Sequence, residues 1–212
     1  MRSAAQDGRE VETQIKNKEL VKERRRQIVD AAVQLFIKNG YHKTTTRSLA
    51  KATGLSIGSL YEYVSTKDDV LYLVCVAIHA EVEQGLTEAL ARTSQGREAL
   101  IEIIREYFQV CNRMSDHVLL IYQVTHFLPR KWQEKVLEAE LRITGLFVEA
   151  MRGLNASGKL PPMDEDTINL ISHNISVLGH TWAFRRWYFA KNFTIDQYTE
   201  QQTEFIMRFL AK

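Results

Sequence analysis

The chain has 212 residues, 45% of them hydrophobic and 25% charged, which is the composition of an ordinary globular protein. Three prolines and ten glycines are too few for a turn-rich all-β protein, and no apolar run approaches the roughly 18 residues of a membrane span. The net charge of +2 hides an asymmetry, since residues 1–67 hold 13 Lys/Arg and 7 Asp/Glu whereas the remainder holds 15 and 19. This basic first third favours contact with a polyanion, and a solvated basic helix is the alternative.

The N-terminal third is predicted to form three helices after a flexible tail. Residues 1–21 are polar and weakly periodic, and they lack the apolar segment of a secretory signal. Apolar residues at helical spacing then begin at Ile28, and Asn39-Gly40 ends that first helix. Threonines at 44–46 offer an N-cap for a second helix, which Gly54 breaks. Ser56 caps a third, so the last two helices meet at a tight turn, as in a helix-turn-helix.

The rest of the chain shows helical periodicity throughout and no strand pattern, which predicts an all-α protein. Ser65 or Thr66 caps the next helix. Predicted helices cover about 67–91, 97–114, 117–127, 129–155, 164–190 and 195–210. Cys75 and Cys111 lie in apolar helical text and are interpreted as buried thiols of a reducing cytoplasm.

The segment GYHKTTTRSLAKATGLSIGSLYEYVSTKDDVL, residues 40–71, resembles the DNA-binding domain of the TetR family of bacterial transcriptional regulators. The resemblance extends over residues 24–72, and Val64 departs from it because the family usually has phenylalanine there. It implies a helix-turn-helix domain at 22–67 after the tail 1–21, and a helical ligand-binding and dimerisation domain at 68–212.

The predicted DNA contacts combine the resemblance with side-chain chemistry. Gly58 lets the helix backbone approach DNA, Ser59 can bond base edges, and Ile57 either contacts a thymine methyl or is a chance surface residue. The resemblance brings Tyr61 and Tyr63 to phosphates, although either could pack in the core. The full set is Thr44, Thr45, Arg47, Ser56, Ile57, Gly58, Ser59, Tyr61, Tyr63 and Lys67. The two threonines could instead only cap a helix.

A second basic feature is the run KERRR at 22–26. It reaches phosphate or a minor groove, or it is simply a solvated helix end, the more common case.

Apolar faces in the larger half, with a few hydroxyl and imidazole groups, are compatible with the ligand cavity that the resemblance implies. The predicted lining is Tyr107, Phe108, Cys111, Met114, Tyr122, His126, Phe127 and Phe147. Taken singly, each of these residues fits plain core packing equally well. The expected ligand is apolar, with an acyl or aromatic character, and no cofactor or metal is expected.

The C-terminal helices are predicted to form a homodimer interface, as the resemblance implies. The anchors include aromatic and arginine side chains, which are favoured at interfaces, and Arg186 could instead bind an acidic group of a ligand. They are His180, Trp182, Arg186, Trp187 and Phe209.

The predicted function is therefore a cytoplasmic, homodimeric repressor that a small ligand releases from double-stranded operator DNA. A DNA-binding dimer without a ligand is the main alternative, and an enzyme with an appended DNA-binding module is a weaker one. The chain shows no readable nucleophile–base pair, phosphate loop or metal cluster, so we expect no enzyme and no membrane association.

Overall fold

The computed structural model describes residues 11–13, 15–92, 96–158 and 162–210, and these form ten α-helices and one 3₁₀ turn at Thr125–Phe127. The helices are α1 Lys18–Asn39, α2 Thr46–Thr53, α3 Ile57–Tyr61, α4 Lys67–Ala91, α5 Arg97–Arg113, α6 Ser115–Val124, α7 Arg130–Ala156, α8 Glu165–Phe184, α9 Arg186–Asn192 and α10 Ile195–Leu210. No strand occurs in the described ranges, and the predicted all-α class is confirmed.

The described residues divide into two compact units. The first contains the chain up to residue 80 together with 120–139, and the second contains 81–119 together with the chain from 140 onward. Helices α4, α6 and α7 each contribute residues to both units. The compact units thus do not follow the 67/68 boundary, which stays a prediction about function.

The first unit is built on α1, α2 and α3. Helix α1 begins at Lys18, inside the segment expected to be a tail, because the Asn17 side chain accepts a hydrogen bond from the Leu20 amide and caps it. The inward-facing side chains of the three helices are fully buried, as in Phe36, Leu49 and Leu60. Burial of these apolar faces holds helices of eight and five residues that would not be stable alone.

The start of α4 is fixed by a single carboxylate. Asp69 Oδ2 accepts from the backbone amides of Ser65 and Thr66, and Thr66 Oγ1 accepts from the Asp69 amide, so the predicted cap is confirmed at Thr66. Asp69 Oδ1 accepts from the indole of Trp132 in α7, whose ring stacks on Tyr72 at 4.0 Å between centroids. The first turns of α4 and α7 are therefore held together inside the first unit.

In the second unit, α5 packs against α8 and α10, and this contact fills the interior with aromatic rings. Tyr107 and Phe108 of α5 and Phe147 of α7 are fully buried. The helix predicted over 164–190 is interrupted, since Arg185 leaves helical geometry with φ −113° and ψ 21° and separates α8 from α9.

Helix α4 is, by length and composition, long and apolar enough to cross a membrane. In its most apolar stretch 56% of the residues are buried inside the protein, which is also the behaviour of a core helix.

Candidate nucleic-acid interface

Helices α2 and α3 form a tight helix-turn-helix. Gly54 adopts the left-handed conformation with φ 70° and ψ 14°, and the Leu55 amide donates to the Ala50 carbonyl, so the chain turns within three residues. Ser56 then caps α3 by accepting from the Ser59 amide, as predicted. Thr45 caps α2 in a capping box with Ser48.

Six of the predicted contact residues are exposed on this motif, and one of them is Ser56, the cap of α3. Thr45 and Arg47 lie at the start of α2, and Ile57, Gly58 and Tyr61 belong to α3. Ile57 is 40% and Tyr61 46% exposed, although both are large apolar or aromatic side chains. The arrangement presents an apolar side chain, a phenol and a guanidinium on one short helix-turn-helix, groups that can contact base edges and phosphates.

Gly58 has no packing role inside the protein. Its backbone is not in the left-handed region, and a Cβ added there would meet only Ser56 Oγ, at the ordinary distance of 3.8 Å. Glycine in a helix lowers stability by roughly 1 kcal/mol relative to alanine. Packing inside the protein therefore does not explain this glycine, and close approach of DNA to α3 stays a prediction.

Two predicted DNA contacts are instead structural. Thr44 is 1% exposed, and its hydroxyl bonds the carbonyls of Gly40 and Leu35 at 3.0 and 3.3 Å, which closes the loop between α1 and α2. Tyr63 is 6% exposed and packs in the core of the first unit. Both side chains are buried in this conformation, Tyr63 in the core and Thr44 against the end of α1 and not as the cap of α2, so a phosphate contact of either stays a prediction.

Lys67 also has internal partners. Its Nζ donates to the carbonyls of Tyr41 and Thr44 at 3.2 and 3.1 Å and lies 4.2 Å from the centre of the Tyr41 ring. The Tyr41 hydroxyl donates in turn to Asp68, and burial together with this hydrogen bond raises the pKa of Tyr41. A cation held by two carbonyls and a ring fastens the α1–α2 loop to α4, and a phosphate role for Lys67 stays a prediction.

The predicted ligand-lining residues do not form one set. Tyr122, His126 and Phe127 belong to the first unit and are exposed. The Phe127 ring stacks on Tyr41 at 6.2 Å and meets His42 edge-on at 4.3 Å, so it covers the α1–α2 loop rather than a cavity.

The other five predicted ligand residues are all buried in the second unit, and three of them, Phe108, Cys111 and Phe147, lie beside the phenol of Tyr107. The Tyr107 hydroxyl lies 2.6 Å from His180 Nε2 and 3.1 Å from Ser176 Oγ, in apolar surroundings. Burial raises the pKa of Tyr107 well above its ordinary value and the pKa of the Cys111 thiol to about 12. Both groups are therefore neutral at physiological pH, and the Ser176 hydroxyl links the cluster to Glu140 by donating to its Oε1 at 3.5 Å.

The predicted dimer anchors separate into two groups. His180 and Trp182 are buried within the protomer, since His180 bonds Tyr107 and the Trp182 indole donates to Asn112 Oδ1 at 2.8 Å. They cannot anchor a second copy in this conformation. Arg186, Trp187 and Phe209 are exposed, and the sequence pattern missed three further exposed apolar side chains on α8 and α10, Leu170, Val177 and Phe205.

Comparison with known proteins agrees with this geometry. Residues 28–72, which contain α2, α3 and the turn between them, match the family described as bacterial regulatory proteins, tetR family. This helix-turn-helix segment belongs to the TetR family. The match does not extend to the second unit, so the family assignment applies first to the predicted DNA-binding part of the chain.

A curated relative extends the similarity along most of this chain. It is 28% identical over 191 residues to the HTH-type transcriptional regulator HbdR of Aromatoleum sp. (strain CIB), which is 90% of this chain and 82% of HbdR.

Two solved structures share the fold. A tetR-family regulatory protein from Rhodococcus RHA1 superposes with a TM-score of 0.77 at 20% identity, over 89% of this chain and 97% of that one. AibR, solved with isovaleryl coenzyme A and operator DNA, superposes with a TM-score of 0.70 at 17% identity, over 85% of this chain and 96% of AibR. The two superpositions show that this chain has the same fold, and the family match over residues 28–72 together with the similarity to HbdR supports a DNA-binding transcriptional regulator.

Proposed function

We propose that the protein is a homodimeric repressor that places α3 of each protomer in a major groove of its operator. The observation that carries this is Gly58, a helical glycine with open space around it and with Ile57 and Tyr61 exposed on the same short helix. Two such helices in a symmetric dimer would read half-sites about 34 to 36 Å apart, or a multiple of that spacing.

The second copy would cover the exposed apolar side chains of α8 and α10. Leu170 and Val177 lie two helical turns apart on α8, and Phe205 and Phe209 lie one turn apart on α10. All four are at least half exposed, at 63%, 52%, 65% and 60%. Apolar side chains so arranged form a surface that is typical of obligate interfaces.

The effector would bind in the second unit, near Tyr107. The lining offered by Phe108, Phe147 and Cys111 is apolar, and the Tyr107 hydroxyl is a polar group that could bond one ligand oxygen. This chemistry suits an acyl or aromatic compound. AibR, which shares the fold, was solved with an acyl coenzyme A, and this supports the acyl alternative. A ligand-independent DNA-binding dimer is the competing function.

We further propose that the protein acts in the cytoplasm and has no enzymatic activity. Its relatives and structural neighbours are named as regulators, and a repressor needs only differential binding of DNA and effector.

Selection from a pool of random duplex DNA tests the repressor assignment without a known operator. The wild type should enrich an inverted repeat, and Gly58→Leu, with its fold checked by circular dichroism, should not bind the enriched duplex. Binding of that duplex by Gly58→Leu with wild-type affinity would remove α3 as the reading helix.

A thermal-shift screen with acyl coenzyme A thioesters and aromatic acids tests the effector. A ligand present at 100 times its Kd stabilises the native state by about 2.7 kcal/mol, which is readily measured. A ligand that raises the Tm but leaves operator affinity unchanged would favour the competing function.

A further inference from the structure

A buried arginine joins the start of the described chain to the end of α3. Arg25 is only 7% exposed, although the basic composition of residues 22–26 predicts a solvated or DNA-facing segment. Its Nη2 donates to the Val11 carbonyl at 2.7 Å and the Glu12 carbonyl at 3.3 Å, and its Nε donates to the Tyr63 carbonyl at 3.0 Å. One guanidinium thus holds two chain segments that are about 50 residues apart.

A second contact lies beside it. The Thr13 hydroxyl donates to the Glu62 carbonyl at 2.7 Å, and Val11 is 1% exposed. Residues 11–13 and Arg25, which we call the N-terminal brace, therefore bond the carbonyls of the two residues that directly follow α3.

Such a brace matters because α3 has only five residues, Ile57–Tyr61. A helix of this length has no stability of its own, so its orientation depends on what holds its two ends. Ser56 caps the N-terminal end, and the brace bonds the chain at the C-terminal end through Glu62 and Tyr63.

The electrostatics agree with a structural role for this arginine. Burial lowers the pKa of Arg25, and the charge of Asp69 opposes that effect. A guanidinium remains charged under these conditions, and its planar fork bonds several carbonyls at fixed angles, which a lysine cannot do.

We propose, on the basis of the repressor function above, that Arg25 is a positioning residue for DNA reading and that the N-terminal brace sets the angle of α3 in the groove. Loss of the brace then lowers affinity for the operator sequence while affinity for random DNA is kept, since phosphate contacts tolerate a tilted helix and base contacts do not.

The experiment measures both affinities by fluorescence anisotropy, with the enriched operator and a random duplex of equal length, for the full-length chain. Arg25→Lys keeps the charge and loses the fork, and we expect operator affinity to fall about tenfold, the equivalent of one charge-assisted hydrogen bond. Random-DNA affinity should change less than about twofold. The isosteric Thr13→Val tests the brace without a buried charge, and it should lower operator affinity about threefold.

Arg26→Ala is the matched control, because Arg26 is the next residue of α1 and is exposed. It should either leave both affinities unchanged or lower them equally. Proportional losses on the two duplexes for Arg25→Lys, or wild-type discrimination in a folded Thr13→Val protein, would overturn the proposal. If Arg25→Lys fails to fold by circular dichroism, Thr13→Val alone decides. Failure of the wild type to enrich any operator would contradict the repressor function itself, which is a separate result.

Discussion

Two helical glycines show how differently the two compact units use a missing side chain. A Cβ on Gly58, in α3 of the first unit, would meet only Ser56 Oγ at 3.8 Å. A Cβ on Gly179, in α8 of the second unit, would lie 2.5 Å from the ring of Tyr107 and 3.2 Å from Cys111 Sγ. The second glycine is explained by packing within the protein, whereas the first is not, and contact with DNA is the explanation proposed for it.

The tyrosine hydroxyl groups of the two units differ in the same way, one being exposed and the other buried. The phenol of Tyr61 is 46% exposed and has only a 3.5 Å contact with Thr46 Oγ1, while the phenol of Tyr107 is buried with His180 and Ser176. Polar side chains therefore indicate a binding surface only where the fold does not already provide their hydrogen-bond partners.

Gly179→Ala tests the glycine that is packed inside the protein, and it should give the largest effect. The added methyl group must displace the Tyr107 ring, and overpacking of this kind destabilises a protein by about 1–3 kcal/mol. Urea unfolding measures the loss. Gly145→Ala, in α7 of the same unit, is the control, because nothing lies within 4 Å of its Cβ and alanine favours a helix. Equal stability of the two variants would mean that the interior around Tyr107 is not tightly packed.

Gly58→Ala tests the glycine of α3 that has open space around it. The variant should unfold at the same or a slightly higher urea concentration than the wild type, since alanine is the better helix former. We expect its operator affinity to fall about tenfold or more, because a methyl group then separates α3 from the base edges. Anisotropy titration gives this affinity. Wild-type operator affinity in this variant would mean that Gly58, like Gly145, has open space around it without a role in DNA binding.

Tyr107→Phe and Tyr61→Phe compare the two phenols. Removal of the Tyr107 hydroxyl leaves His180 and Ser176 without that partner, and we expect a stability loss of about 1–3 kcal/mol at pH 7. Tyr61→Phe should leave stability unchanged while weakening DNA binding. A stability loss of the same size in both variants would contradict the contrast.

The pH dependence of stability gives a second test of Tyr107→Phe. Burial raises the pKa of Tyr107 in the folded protein, so the unfolded chain loses this proton first. The contribution of Tyr107 to stability is complete below about pH 10, where an unperturbed tyrosine begins to ionise, and it declines as the pH rises further. Between pH 9 and 11 the free energy of unfolding should therefore fall less for Tyr107→Phe than for the wild type. The same urea titrations measure both.

Thiol labelling gives the smallest expected effect and reports on each unit. Cys75 lies in the first unit and Cys111 in the second, and both are buried, with the pKa of each raised to about 12 by burial. At pH 8 the native protein should react slowly with an aromatic disulfide reagent, and the unfolded chain should release two equivalents. An effector that binds near Cys111 should slow its labelling specifically, as mass spectrometry can show. Rapid labelling of both thiols in the native protein would contradict their burial.

Local signals in the sequence predicted much of the fold. The caps at Ser56 and Thr66 and the turn at Gly54 depend on residues within a few positions of each other, and they are found where expected. Helix positions followed from apolar periodicity. The break at Arg185 was missed because no proline or glycine marks it.

The candidate site could be predicted only in part, because the partners that decide a side chain's role are distant in the chain. Lys67 bonds carbonyls 23 and 26 residues away, and Arg25 bonds one 38 residues away. Their basic composition suggested phosphate contact, and only the fold shows the carbonyls they already hold. Phe127 was assigned to a ligand cavity for its apolar character, and nothing local indicates that it covers Tyr41.

The stacked pair of Trp132 and Tyr72 has a spectroscopic consequence. The chain has three tryptophans, and Trp132 is the one that lies in the first unit, with its indole bonded to the carboxylate of Asp69. With Trp182 and Trp187 replaced by phenylalanine, emission from the remaining indole would report on the start of α4 and α7 in solution. Operator binding and effector binding could then be followed by an intrinsic fluorophore, without a dye on the surface that meets DNA.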